Sequence, residues 1–376
     1  MRIGIDAHTV EDEGIGNATF TRNLIEALAV VDGTNEYVLY AEDPRHHFYA
    51  AYRERRNFRI RALVPRAPAA RLAFTLGTLT WLDRIDVLHV VYFAPLFHRG
   101  GLVVTIHDSA FQAVPDSFRA WDRVRYRALF AFSAQRADRI TTGSLYSKAD
   151  TERLYRIPGH KVVVTYAGVS TRFRPLVDHA AADGILCRYG IRRPFVLYVG
   201  RLNERKQLRE VICAFARTAR CHPGGALQLV LVGKPDYLRY DLRSVAAAAG
   251  CGDRVVLTGF VPDEDLPVVY GAADLFVYPS RFEGIGLPVL EAMACGVPTI
   301  ASTRTSLPEV AGDAAILVDP DDVEELGRQM LRVLSDGSLR VALRRKGLEH
   351  VRTFSWESTA RSMLDVYASV CDETAR

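Results

Sequence analysis

The sequence lacks paired cysteines, long apolar runs and a charged leader. Its six cysteines (187, 213, 221, 251, 295 and 371) are scattered through the second half without a Cys-x-x-Cys pair. That excludes a disulfide scaffold and the common zinc-ribbon spacing, and it reads as reduced thiols in a cytoplasm. The longest apolar-leaning stretch, Leu72 to Leu82, holds three threonines and a glycine and is too short to span a bilayer. Met1-Arg2-Ile3-Gly4-Ile5-Asp6 has the look of a strand, not of a targeting signal. There is no short-period repeat.

What is present describes a soluble globular chain. Of its 376 residues 49% are hydrophobic and 24% charged, and the length favours two domains. The formal charge of +4 lies in residues 1–170; residues 171–376 balance to zero. Seven arginines (53, 55, 56, 59, 61, 66 and 71) face a single acid, Glu54, between Arg53 and Arg71. Such a cluster is either a solvated face or a surface for phosphate head groups or an anionic acceptor.

Short β-branched runs alternate with helical patterns throughout, which predicts α/β architecture with parallel sheets. The clearest early strands are Ile3–Asp6, Tyr37–Tyr40, Val87–Val91, Leu102–Ile106 and Val162–Tyr166. Phe20, Leu24 and Leu28 mark a helix after the first of them, with Asn17 as its N-cap. Polar sequence at 171–183 reads as a linker. The pattern then restarts at Phe195–Val199, Leu227–Val232, Val255–Leu257, Ala273–Tyr278 and Val297–Ile300. A final helix over 356–370 carries Met363, Val366, Tyr367 and Val370 on one stripe.

Four constellations could carry chemistry. A loop with Gly14 and Gly16 precedes the first helix, where glycines let backbone amides approach a phosphate; a plain tight turn is the alternative. His107-Asp108 leaves a buried strand at the end where parallel sheets bind ligands, although such a pair also caps helices. Gly200-Arg201 ends another strand, and Arg201 with Lys206 suits a diphosphate, unless these are surface charges paired with Glu204. Lastly, Glu283-Gly284-Ile285-Gly286-Leu287 runs into an apolar helix bearing Glu291, which Gly296 ends. The loop amides and helix dipole face an anion, and an acid on an apolar helix needs a partner, either hydroxyls or an ion pair.

At these residues, and through Phe354-Ser355-Trp356, the chain resembles the retaining glycosyltransferases of family four over nearly its whole length. The resemblance implies the GT-B fold, with two Rossmann-like domains facing across a cleft. The acceptor domain would be 1–172 and the nucleotide-sugar domain 173–355, with a helix over 356–376 crossing back. It implies that Arg201 and Lys206 hold the donor diphosphate, Glu291 the ribose and Glu283 the transferred sugar. Amides at Ile285, Gly286 and Leu287 would meet sugar hydroxyls and phosphate, and the loops at Gly233 and Gly259-Phe260-Val261 would frame the base. Gly200 would lie on the donor side, and Gly16 would let the acceptor domain approach the donor. His107 would touch the sugar near its reacting carbon, with Gly14 and Asp108 on the acceptor side. Asn17 and Tyr166-Ala167-Gly168 depart from the family pattern.

No Asp-x-Asp pair lies in these segments, so the two cations stand where a metal would, and neither metal nor cofactor is expected. Bacterial mannosyltransferases that build surface polysaccharides are the nearest likeness, which puts GDP-mannose first among donors. The acceptor would be a glycan, a glycolipid or a small molecule, with peripheral contact to anionic membrane and no nucleic acid. Three rivals stand beside this reading. One is an NAD-dependent oxidoreductase using Gly14-x-Gly16 with Glu42 or Asp43. The others are a non-catalytic carbohydrate-binding protein and another GT-B enzyme such as a UDP-sugar-dependent transferase, epimerase or phosphorylase.

Overall fold

The computed structural model describes residues 1–12, 16–115, 118–222, 226–236 and 238–374. The chain divides into two compact units. Met1–Gln112, Ala120–Gly168 and Trp356–Arg376 form the first, Ala113–Arg119 and Val169–Ser355 the second. The junction at Gly168 and Val169 lies just ahead of the polar stretch at 171–183.

The first unit is a seven-stranded parallel sheet in the order β3-β2-β1-β4-β5-β6-β7. Its strands are β1 (Arg2–Asp6), β2 (Glu36–Ala41), β3 (Phe58–Ala62), β4 (Val87–Val91), β5 (Gly101–Thr105), β6 (Arg139–Thr142) and β7 (Val162–Val164). β1, β4 and β5 are buried almost throughout, as parallel strands covered on both faces must be. β3 and β6 escape sequence reading because neither is a continuous apolar run. β3 is an edge strand with Arg59 and Arg61, and β6 is half threonine.

The first helix runs Gly16–Val31 and buries Phe20, Leu24, Ile25 and Leu28. It already contains Gly16, so Asn17 sits inside the first turn and is not the N-cap. The last helix, Trp356–Thr374, buries Met363, Val366, Tyr367 and Val370 and packs on the first helix and on β5. A buried polar chain pins it to the sheet. The Tyr367 hydroxyl bonds His89 Nδ1 at 2.8 Å, His89 Nε2 bonds Thr105 Oγ1 at 2.7 Å, and Thr105 bonds Thr141 at 2.6 Å. Burial pulls His89 down to about 3, so it stays neutral and each of its nitrogens is used.

The arginine cluster does not form one cationic face. Arg71 is buried and ion-paired with Asp6 at 2.7 Å, and Arg61 lies 3.3 Å from Asp83. Arg53 and Arg55 donate to the carbonyls of Pro44 and Ala29. Folding thus takes four of the seven arginines as internal partners. Nearby, Leu76 is core, whereas Phe74 is 68% exposed. Among the described residues no helix is long and apolar enough to cross a membrane.

The second unit holds a six-stranded parallel sheet in the order β10-β9-β8-β11-β12-β13. Its strands are β8 (Phe195–Val199), β9 (Gln228–Val232), β10 (Val255–Gly259), β11 (Leu275–Tyr278), β12 (Thr299–Ser302) and β13 (Ile316–Val318). The strand order reverses between β8 and β11, which makes the crevice beyond their carboxyl ends the expected ligand position.

Candidate active site

Three adjacent strands of the second sheet end in glycine: Gly200 after β8, Gly233 after β9 and Gly259 closing β10. Gly200 N donates to Val232 O at 3.0 Å, and Gly233 N donates to Gly259 O at 2.9 Å, so the three turns lie side by side. A side chain on Gly233 would place its Cβ 1.9 Å from Gly200 O, with φ at +148°. Only glycine allows this approach. The result is an open backbone edge, with Lys234 Nζ 4.5 Å from the centre of the Phe260 ring beside it and Val261 buried next in the chain.

Beside that edge the short turn Glu204–Lys206 faces the loop from Ser280 to Gly286. Lys206 is 4% exposed and donates to the Tyr278 hydroxyl at 2.6 Å and to Glu283 Oε1. Arg205 Nη1 lies 3.0 Å from the same carboxylate oxygen and donates to Phe282 O. Burial opposes the Glu283 charge, but Arg205 and Lys206 outweigh it and hold the carboxyl down at about 2. Sequence reasoning sent Lys206 to phosphate and Glu283 to sugar as separate ligands. In the folded chain they bond to each other. It also passed over Arg205 and Tyr278; the signal for Arg205 was its place beside Lys206, and for Tyr278 its place at the end of β11.

Arg201 lies outside this cluster. Its guanidinium is half exposed and 3.3 Å from Asp236, not paired with Glu204. Gly286, at φ +86°, turns the chain into the helix Leu287–Ala294, and a Cβ there would strike Leu307. Thr305 Oγ1 accepts from Glu283 N, and Ser306 Oγ donates to Glu283 O, both at 3.0 Å, which fixes the loop ahead of the helix. Ile285 is buried and Leu287 half-buried.

Inside the protein Glu291 meets a hydroxyl. Its Oε2 accepts from the Tyr270 hydroxyl at 2.8 Å, and among the described residues it has no ion pair. Burial pushes the carboxyl up to about 7 from its ordinary value of 4.5. The folded state therefore binds this proton more tightly than the unfolded chain does. That stabilising contribution is complete below pH 4.5 and is lost as pH rises to about 7. We expect Glu291→Gln to flatten this part of the pH–stability profile and to raise Tm at pH 8 by roughly 5 °C. Thermal unfolding from pH 5 to 8 checks it; parallel profiles for the two proteins would refute the assignment.

In the first unit, His107 follows β5 and is 7% exposed, and among the described residues neither ring nitrogen has a hydrogen-bond partner. Phe20 meets it edge-on at 4.5 Å and Tyr92 at 5.7 Å. Burial lowers it to about 4, so it is a neutral imidazole at pH 7. Asp108 Oδ1 accepts from Ala110 N at 3.1 Å, the capping alternative allowed by the sequence. Gly16 opens its helix, and among the described residues no atom lies within 4 Å of where its Cβ would stand; Gly14 lies outside the described residues. In the same unit Asp6, the last residue of β1, holds His8 Nδ1 at 2.9 Å as well as Arg71.

Two parallel α/β units, the second with a cation-and-carboxylate loop beyond its strand ends, define a GT-B glycosyltransferase. Residues 190–350 match the family model for glycosyl transferases group 1, and residues 16–173 that for glycosyltransferase family 4. The O-antigen chain mannosyltransferase B of Escherichia coli is 32% identical over 293 residues, covering 75% of each chain. A D-inositol 3-phosphate glycosyltransferase of Salinispora tropica is 33% identical over 250 residues, 63% of this chain and 52% of that protein. This chain belongs to the family 4, group 1 glycosyltransferases. The same fold occurs in a sucrose-phosphate synthase of Thermosynechococcus elongatus (TM-score 0.77, 23% identity, 98% of this chain and 99% of that one). It occurs again in Anabaena HepE, solved with UDP and glucose (TM-score 0.75, 17% identity, 98% and 100%).

Proposed function

We propose that this glycosyltransferase moves mannose from GDP-mannose, with retention, onto a glycan, glycolipid or small-molecule acceptor. The observation that carries the donor site is the pairing of Lys206, Arg205 and Glu283 beside the glycine edge and the helix at Leu287. The mannose reading is supported by the similarity to an O-antigen chain mannosyltransferase and a serotype-specific mannosyltransferase, both from Escherichia coli. A UDP-sugar is the second reading, favoured by HepE, which binds UDP and glucose.

In the reaction the bond from the anomeric carbon to the diphosphate breaks, and its electron pair leaves on the nucleoside diphosphate. The acceptor oxygen bonds to that carbon from the same face, and its proton passes to the departing phosphate. Arg201 and Lys206 meet the charge growing on the leaving group, which is the main requirement of such a step. Glu291 binds the ribose, and Glu283 the sugar. His107 contributes a neutral, unbonded imidazole near the reacting carbon. In this reading Arg201 and Lys206 take the part a metal would play, so none is required.

The test is a thermal-shift panel of GDP-, UDP- and ADP-sugars, followed by transfer assays before and after excess EDTA. At a hundred times its dissociation constant a true donor stabilises by about 2.7 kcal/mol. GDP-mannose should give the largest shift, and turnover should survive the chelator. A larger shift with a UDP-sugar would move the donor, and activity restored only by magnesium or manganese would overturn the metal-free reading.

A membrane-borne acceptor would meet the first unit where Phe74, Trp81 and Leu82 stand 68%, 57% and 65% exposed, in a stretch with no acid between Glu54 and Asp83. Wild type should then sediment with anionic vesicles and be released by salt. Equal sedimentation with neutral vesicles would remove that option.

A further inference from the structure

The turn Glu204–Lys206 presents two consecutive cations to one carboxylate, and they are held in different ways. Arg205 is fixed at both ends. Its own carbonyl accepts from Arg281 N at 2.8 Å and from Ser280 Oγ at 3.3 Å, while its guanidinium bridges Phe282 O and Glu283 Oε1. Those contacts tie the turn after β8 to the loop after β11 across the switch point of the sheet. Lys206 reaches the same carboxylate oxygen, but from a flexible four-carbon stem whose ammonium also rests on the Tyr278 hydroxyl and against its ring, 4.7 Å from the centroid.

A carboxylate at 7% exposure needs a permanent counter-charge, because a buried charge left without one is strongly destabilising. Were Lys206 the sole counter-charge, every turn of Lys206 toward a phosphate would strip Glu283 of its partner. With Arg205 in place the cluster carries two positive charges against one negative, and Lys206 can exchange ligands while Glu283 stays neutralised and oriented.

We infer that Arg205 is a positioning residue, the fixed counter-ion of Glu283 that leaves Lys206 available to the donor diphosphate. Arg205 itself does not bind the nucleotide. A guanidinium suits this fixed role because its planar fork holds a carbonyl and a carboxylate together, whereas a lysine offers a single point charge. This inference rests on the glycosyl-transfer reading of the same site.

The experiment compares wild type, Arg205→Gln, Arg205→Lys, Lys206→Ala and the double variant Arg205→Gln/Glu283→Gln. Calorimetric titration with GDP and with UDP measures nucleotide affinity, and initial rates with the matching nucleotide sugars measure turnover. Arg205→Gln should lose nucleotide affinity about tenfold, because Lys206 is then held by Glu283, and adding Glu283→Gln should return affinity to within about threefold of wild type. In both variants kcat should fall about a hundredfold, since the sugar contact is displaced or removed. Arg205→Lys should recover part of the affinity, and Lys206→Ala should lose it. If the double variant binds no better than Arg205→Gln, Arg205 is a diphosphate ligand and the inference fails. Unchanged affinity in Arg205→Gln also overturns it. If wild type binds neither nucleotide, the donor site itself is misassigned and this inference falls with it. Circular dichroism of Arg205→Lys guards against reading misfolding as loss of position.

Discussion

Lys206→Ala is expected to lower turnover of the nucleotide sugar by about a hundredfold to a thousandfold while the fold survives. The loss is large because Lys206 is a buried ammonium pre-set by Tyr278 and Glu283, so no solvent reorganisation is needed when leaving-group charge appears. The fold survives because Glu283 keeps Arg205 as a counter-charge at 3.0 Å. Glu283 is a depressed carboxyl, and its stabilising contribution is present above pH 4.5 and lost as pH falls toward about 2. Removing Lys206 should therefore lower Tm at pH 7 by a few degrees, with the loss shrinking as pH falls toward about 2. Lys206→Arg keeps the charge but not the compact ammonium between two oxygens, and should recover only part of the rate. Initial rates and acid titration of the three proteins check this. A near-native rate for Lys206→Ala would remove Lys206 from the reaction.

The second large effect concerns backbone shape. Gly233→Ala would drive a methyl to within 1.9 Å of Gly200 O, and backbone cannot step aside as a flexible side chain would. Relief requires parting the ends of β8 and β9, where Gly200 N bonds Val232 O. The expected cost is about 3 kcal/mol or more, which at this domain size lowers Tm by roughly 10 °C. Gly259→Ala is the control. Its φ of +71° is also left-handed, but among the described residues no atom lies within 4 Å of the added methyl, so it should cost only about 1–2 kcal/mol. Equal melting temperatures for the two variants would show that the glycine edge is not the close-packed feature described. If Gly233→Ala folds at low temperature, its nucleotide affinity should also fall, since the parted strands no longer carry the Lys206 turn in place.

Much of this protein was legible in its order of residues. The βα rhythm and the continuous apolar strands determined two parallel sheets, because strands buried on both faces must be apolar throughout. Glycines at strand ends, and the run Glu283 to Glu291 ending in Gly296, placed the candidate site, because a backbone that turns sharply toward a ligand admits no side chain. Edge strand β3 stayed hidden, since an edge strand tolerates arginines on its open side. The sense of the Arg53–Arg71 cluster stayed hidden as well. Sequence showed seven charges close together, and only folding gave four of them separate internal partners, because carbonyl, carboxylate and cation meet through contacts remote in the chain. The same holds at the site. Composition supplied Arg205, Lys206, Glu283 and Glu291, but which cation balances Glu283 depends on contacts across 77 and 78 residues, which no local pattern encodes. Nor could the sequence show that Glu291 meets a tyrosine hydroxyl and not a cation, and that choice, through burial, pushes its carboxyl up to about 7.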